Sequence, residues 1–330
     1  MTNLIAWVLR AIQFGTIIMF GSMGETITEK SGNLNLGVPG IMYLGGFTGF
    51  TCAYLYENNV ANPSPVICVL LALFSAFLAP MLGGLIFAFL TITLRANQNV
   101  TGLALTTFGM GVANFGGVYM LDGAIYTAAP ITNSAFAAKV FPFAGKLGVF
   151  GEMFLSYGFL VYGAILLAIF LHIFFNKTRV GLNLRAVGEN PATADAAGIR
   201  VTLYKYLATC IGAGISGIGG LYYVMDYNNG IWATTGQIEA LGWLAVALVI
   251  FTTWRPLNGI WGAYLFGFLY WLYQFLPNLL GITLKSYMID LVQMTPYLVT
   301  IIVLCVVSLR KKRENQPPQS LGLAYFREER

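Results

Sequence analysis

The stretch "NLRAVGENPATADAAGIR", Asn183–Arg200, is a polar island in an apolar chain. It carries four charges, on Arg185, Glu189, Asp195 and Arg200, and only Leu184, Val187 and Ile199 are large and apolar. Its flanks are Met153–Phe175 and Tyr206–Met225, runs without a single Asp, Glu, Lys or Arg. About 20 apolar residues in a helix cross roughly 30 Å of hydrocarbon. The contrast decides the fold: the flanks are membrane helices, and the island is a loop that projects from them.

Composition extends this to the whole chain. Of 330 residues, 57% are hydrophobic and 9% charged, against about 25% charged in soluble proteins, too little to coat a soluble core. The expected fold is all-α, a polytopic membrane bundle. Its nine apolar runs are Leu4–Ser22, Leu36–Tyr56, Pro65–Leu94, Val100–Leu121, Met153–Phe175, Tyr206–Met225, Ala240–Trp254, Leu257–Leu276 and Ser286–Leu309. Two of these are ambiguous. Arg10 sits in the first, where a charge near mid-bilayer costs about 2.5–3.5 kcal/mol. That segment is either a crossing or a surface helix leading into a short one, so the count spans 8 to 10. Pro65–Leu94 holds Pro80 and would be roughly 45 Å long as one helix, which suits a tilted, kinked single pass.

Charge placement orients the bundle. With the basic tail that begins at Arg310 in the cytoplasm, alternating spans leave fourteen basic residues inside against three outside, Lys139, Lys146 and Lys285. This is the positive-inside bias. It accounts for the net charge of +5 without a nucleic-acid partner. The chain divides into a transmembrane domain, 1–309, with a cytoplasmic loop at 176–205, and a basic cytoplasmic tail, 310–330. No basic n-region precedes the first apolar run, so no cleavable targeting segment is expected.

Several chemistries find no support. The four cysteines stand singly in apolar runs and His172 is the only histidine, so no zinc site can be assembled. His172 is expected to snorkel near the inner end of its helix. No phosphate loop occurs; "AGKLG" at Ala144–Gly148 lacks its spacing and hydroxyl. No carboxylate, lysine or arginine lies deep in the second to eighth spans, with Asp226 and Glu239 bracketing an outer loop. An ion-coupled carrier needs such groups or unwound coordinating helices, so any uphill work must draw energy from another subunit. Ala208, Gly212, Ser216 and Gly220 fall four apart, a flat stripe for close helix packing, either an internal seam or a dimer interface. Tyr222, Tyr223 and Trp232 read as aromatics of the outer membrane boundary.

Within the island, Asn190 suits a helix N-cap, Pro191 the first helical position and Gly198 the residue after a helix end. The enclosed "ATADAA" predicts about two helical turns, too short to stand alone. The segment is either a solvated loop or a helix held by a partner or by its own bundle. For a solute path, the candidates are uncharged polar residues in apolar runs, Asn97, Asn99, Thr106, Thr107 and Asn114, with Phe108 beside them. The alternative for each is a hydrogen bond to a neighbouring helix.

"RAVGENPATADAAGI" closely resembles the cytoplasmic loop of permease subunits of ATP-binding-cassette importers for ribose-type sugars, nucleosides and branched-chain amino acids. "TEKSGNLNLGVPGIMYLGG" (Thr28–Gly46) and "LGWLAVALVIFTTWRPLNGIWGAYLFG" (Leu241–Gly267) resemble other segments of that superfamily. The tail "LGLAYFREER" looks like the end of the shorter permease of nucleoside-type systems. The resemblance implies that Asn190–Gly198 is the coupling helix seated in a cytoplasmic ATPase. Glu189, Pro191, Ala192, Asp195, Ala196 and Ala197 would then belong to the contact, and Gly188 and Gly198 would turn the backbone in and out. It further implies ATP and magnesium on that partner and no cofactor on this chain, which would be non-catalytic. A second, longer permease subunit is implied, a homodimer being the other arrangement, together with an extracytoplasmic solute-binding lipoprotein. The chain departs from the nucleoside branch at Pro39, where relatives often carry an acid; backbone stiffness of Val38-Pro39-Gly40 would replace it. The implied function is import of a small neutral polar solute across the cell membrane, a nucleoside first, a ribose-type sugar second. The rivals are an ion-coupled secondary carrier and an assembly subunit with no pathway.

Overall fold

The computed structural model describes residues 2–120, 126–233, 236–281, 285–310 and 316–326. Its helices, in chain order, are α1 (Thr2–Lys30), α2 (Val38–Asn59), α3 (Pro65–Ala88), α4 (Gln98–Met120), α5 (Pro130–Phe136), α6 (Gly148–Phe154), α7 (Phe159–Lys177) and α8 (Arg179–Glu189). They continue as α9 (Pro191–Ala196), α10 (Val201–Tyr222), α11 (Gln237–Phe251), α12 (Pro256–Tyr270), α13 (Leu272–Leu280), α14 (Ser286–Gln293) and α15 (Thr295–Arg310). Wider π turns extend α3 through Phe89–Thr93 and α10 through Tyr223–Tyr227. Asn3–Lys30, Pro65–Thr93, Phe159–Lys177 and Val201–Tyr227 are long and apolar enough to cross a membrane. The chain is an all-α polytopic membrane bundle.

At the centre, α10 packs against α1, α2 and α3. Glycine makes this possible. A Cβ on Gly24 would lie 2.2 Å from Gly212 O, one on Gly45 2.3 Å from Gly217 O, and one on Gly220 1.8 Å from Met42 O. Helix axes can approach this closely only where side chains are absent, and in lipid that contact replaces the hydrophobic drive. Ala208 and Ser216 of the four-residue stripe are buried, and Ser216 Oγ donates to Gly21 O at 3.1 Å. The stripe is an internal seam and not a dimer face.

The apolar runs and the helices differ at several ends. α1 does not stop at Ser22; it continues to Lys30 as one crossing, because Glu25 and Glu29 find buried partners. Arg10 is exposed near a recess lined by Gln13, Lys139, Glu152 and Asp226, with its guanidinium over the Tyr227 ring, so water reaches it without a surface helix. α3 passes Pro80 as a single crossing. The fifth run begins late, at Phe159, because Gly158 must pass against Phe136 O, where a Cβ would lie 2.2 Å away. The eighth run breaks at Trp271 and the ninth at Met294, just before Pro296. Leu121 and Asp122, and Lys311, Lys312 and Arg313 of the tail, lie outside the described residues.

The end of the bundle bearing β1 (Tyr126–Ala128) and β2 (Ile231–Ala233) is built, not loose. The two strands pair antiparallel with Thr127 opposite Trp232. Glu57, at the end of α2, accepts from Ile131 N and from Thr132 N and Oγ1 at 2.8–3.0 Å, which caps α5. Under this cover Tyr222, Tyr223 and Trp232 are buried. Trp232 packs on Phe47 and Phe50, and Tyr223 donates to Gln237 Oε1 at 2.6 Å. They are core residues, not boundary aromatics.

Candidate functional site

The island folds as two helices meeting at one residue. Thr178 Oγ1 accepts from Gly181 N at 3.0 Å and starts α8. Asn190 ends α8 in an extended conformation, and its Oδ1 accepts from Thr193 N at 3.0 Å to start α9. Pro191 follows in the first helical turn, where its missing N–H costs nothing. Gly198 closes the segment at φ +81°, a conformation that disfavours any Cβ. The start and stop residues act as their types predict.

Six residues of helix are held by packing. Ala194 is buried with Val187 and Val201, and Ile199, Tyr204 and Tyr325 close over them. Glu189, Asn190, Thr193, Ala196, Ala197 and Gly198 are exposed, while Pro191, Ala192 and Asp195 are half-buried. The result is a short ridge with a small, uncharged crest, suited to a cleft in a partner. Gly188 does not turn the chain. It sits inside α8, where a Cβ would lie 2.2 Å from Lys30 O, so its role is close approach to the end of α1.

Two supports of this ridge have no counterpart in the sequence reading. The first is the C-terminal segment. Ser320 N and Oγ both donate to Gly188 O, at 3.0 and 2.6 Å, and Gly322 N donates to Gly32 O at 3.2 Å. Tyr325 OH donates to Asp195 Oδ2 at 2.9 Å. The second is a pair of acids on α1. Glu25 and Glu29 are each 1% exposed. Glu25 Oε1 accepts from Asn35 N at 3.0 Å, and Glu29 Oε2 accepts from Trp254 Nε1. Asp226 is 7% exposed and accepts from Gln13 Nε2 at 3.1 Å. These buried acids lie outside the second to eighth apolar runs, on the extension of α1 beyond Ser22 and just past Met225. These carboxylates bind protein donors and pin α1 to the α1–α2 loop, to the α11–α12 turn and to the end of α10. Among the described residues no three of His, Cys, Asp and Glu gather to hold a metal.

The six pathway candidates separate. Asn97 caps α4, its Oδ1 accepting from Val100 N at 3.1 Å, and Asn99 is exposed in the first turn. Thr106 is buried and donates to Leu36 O at 2.9 Å, a bond from α4 to the turn before α2. Thr107, Phe108 and Asn114 are exposed on the other side of α4, away from its packing face on α2. Gly111 lies between them with nothing within 4 Å of where its Cβ would stand. Thr107, Gly111 and Asn114 share one stripe at helical spacing, bordered by Phe115 and Tyr119, whose rings stack at 6.0 Å. An unpaired Asn amide facing hydrocarbon would be costly, so this stripe suits water or a polar ligand.

Residues 8–307 match the family described as branched-chain amino acid transport system / permease component. The chain belongs to this permease family. Three relatives align over most of its length. TsgC13 of Haloferax volcanii, named provisionally as a glucose ABC transporter permease, is 33% identical over 78% of this chain and 74% of its own. The nucleoside ABC transporter permease NupC of Lactococcus lactis is 30% identical over 89% of each chain. The guanosine ABC transporter permease NupQ of Bacillus subtilis is 30% identical over 87% of each. No solved structure matches the permease.

Proposed function

We propose that this permease lines the translocation pathway of an ATP-driven importer of a small neutral polar solute, a nucleoside in the first instance. The observation that carries the solute class is the alignment of two relatives named for nucleoside and guanosine transport along nearly nine-tenths of the chain. The α4 stripe fits that class. Thr107 and Asn114 offer donors and acceptors without charge, and Phe108 offers a ring face. A second permease subunit, homologous and most simply a different chain, faces this stripe across the path, and an extracytoplasmic lipoprotein delivers the solute.

The permease is non-catalytic, and ATP and magnesium act on a separate cytoplasmic ATPase. The ridge Pro191–Ala196 is its coupling helix, with Glu189, Ala197 and Gly198 at the contact. On this reading the C-terminus lies in the cytoplasm of a multi-pass cell-membrane protein. Force enters as a rigid-body push: α9 is welded to α8, α10 and the C-terminal segment, so displacement of its crest tilts the helices that end there.

Reconstitution with the partner subunits, followed by competition for uptake, tests the solute. Nucleosides should compete at far lower concentration than pentoses, hexoses or branched-chain amino acids. Sugar import by the same mechanism is the second reading, favoured by the 33% identity to a glucose-transport relative. It would be established by competition from hexoses and none from nucleosides.

A further inference from the structure

A cleft of about 670 Å³ opens where the start of α10 meets the α3–α4 loop and the C-terminal segment. Arg95, Arg200 and Lys205 line it, and the one acid among the described residues of its wall, Asp195, accepts from Tyr325. Lys205 is 3% exposed, and no hydrogen bond or ion pair reaches its ammonium among the described residues. Taking an ammonium this far from water is expensive, and the ordinary remedies are deprotonation or an anionic partner.

Backbone geometry selects the second remedy. α10 starts without a side-chain cap and with no acid in its first turn. Its first N–H groups, on Val201, Thr202 and Leu203, lack partners within the helix, and all three residues line the same cleft. An N-terminus of a 22-residue helix favours anions. Gln98 adds a donor: its Oε1 accepts from Leu34 N at 2.7 Å, which leaves its amide N–H groups for the cleft. The wall thus gathers three cations and several N–H donors, the complement of a phosphoryl group, with one buried acceptor, Asn33 Oδ1, left without a partner beside them.

A second cavity says what carries that group. An apolar groove of about 930 Å³ runs between α7 and α10, lined by residues such as Phe170, Phe174, Leu207 and Ile211. Arg200 and Leu203 line both cavities. A ligand with an anionic head and an apolar tail that passed around Arg200 and Leu203 would reach both.

We propose that the permease binds an anionic phospholipid here, its phosphoryl headgroup among Arg95, Arg200, Lys205 and the start of α10, and an acyl chain in the groove. Free phosphate shares the headgroup chemistry, and the test separates the two. The complete complex, with its partner subunits, is placed in nanodiscs of phosphatidylcholine with or without phosphatidylglycerol, and native mass spectrometry reads the lipid retained. Equilibrium dialysis of labelled inorganic phosphate, in phosphatidylcholine alone, reads the soluble ion.

Phosphatidylglycerol should be retained over phosphatidylcholine by the unaltered protein, and Lys205→Met should cut that preference about tenfold. Thr202→Asp should do the same while strengthening the helix start, since an acid there caps the N–H groups and repels phosphate. Arg179→Gln, an exposed cation outside the cleft, should change nothing. No lipid preference and no phosphate binding in the unaltered protein, or equal preference in all variants, overturns the site. Phosphate binding lost in both cleft variants, without enrichment of phosphatidylglycerol, overturns the lipid and assigns the cleft to a soluble phosphate.

Discussion

Tyr325 reaches from the C-terminal segment to donate its hydroxyl to Asp195 Oδ2 at 2.9 Å, which fastens the last residues described to the helix on which transport is proposed to turn. Tyr325→Phe removes this bond and little else. A single hydrogen bond of this kind contributes about 0.5–1.5 kcal/mol, so thermal stability in detergent should fall slightly. ATP consumed per solute imported should rise more clearly, because α9 loses one of its anchors. An unchanged ratio of hydrolysis to uptake would show that the C-terminal clasp has no part in coupling.

Two glycines of the island should respond differently to the same substitution. Gly188→Val drives a side chain into Lys30 O and should cost about 1–3 kcal/mol in overpacking, seen as reduced assembly. Gly198→Val meets no neighbour, but φ +81° strains it by about 1–2 kcal/mol and reshapes the exit of α9. The second variant should assemble yet hydrolyse ATP without importing solute. Uptake at the unaltered rate would remove α9 from the coupling path.

The α4 stripe offers a test of the pathway within one helix. Asn114→Leu and Thr107→Val alter exposed residues and should leave expression and melting temperature near the unaltered values. Solute uptake should fall, by about tenfold for Asn114→Leu if one hydrogen bond to the passing solute is lost. Thr106→Val should show the opposite pattern, with lower stability from the unsatisfied Leu36 O and transport per folded molecule retained. Reversal of the two patterns would place the path elsewhere.

Glu29 provides a stability prediction independent of transport. Glu29→Gln keeps an acceptor for Trp254 Nε1 and should change stability little. Glu29→Leu leaves that indole N–H buried without a partner and should destabilise by about 1–3 kcal/mol. Thermal unfolding in detergent measures both. Equal effects would mean that the charge, and not the hydrogen bond, is what the site needs.

What the residue pattern reveals and conceals follows from the range of the forces involved. α2, α4 and α10 lie close to their apolar runs, and Asn190, Pro191 and Gly198 mark a helix start and stop through local chemistry alone. α1 runs past Ser22 because Glu25 and Glu29 are satisfied by Asn35 N and Trp254 Nε1, the second of them 225 residues away. Polar letters that end an apolar run cannot announce such partners. The C-terminal clasp is hidden for a similar reason, since Ser320 and Gly322 bind the backbone oxygens of Gly188 and Gly32. Tyr222 and Trp232 look like boundary aromatics until the paired strands and α5 cover them. In the α4 stripe, residue type nominates candidates, and only packing separates Thr106 from Thr107.

On the proposed mechanism this membrane body has no fuel site of its own and is moved through Pro191–Ala196 by an ATPase. The most direct measurement is accumulation of labelled nucleoside in sealed vesicles, with the permease pair alone and with the ATPase, the binding protein and ATP added. Labelled nucleoside should rise above the external level only in the complete, ATP-supplied system. Uphill accumulation by the permease alone would contradict that mechanism.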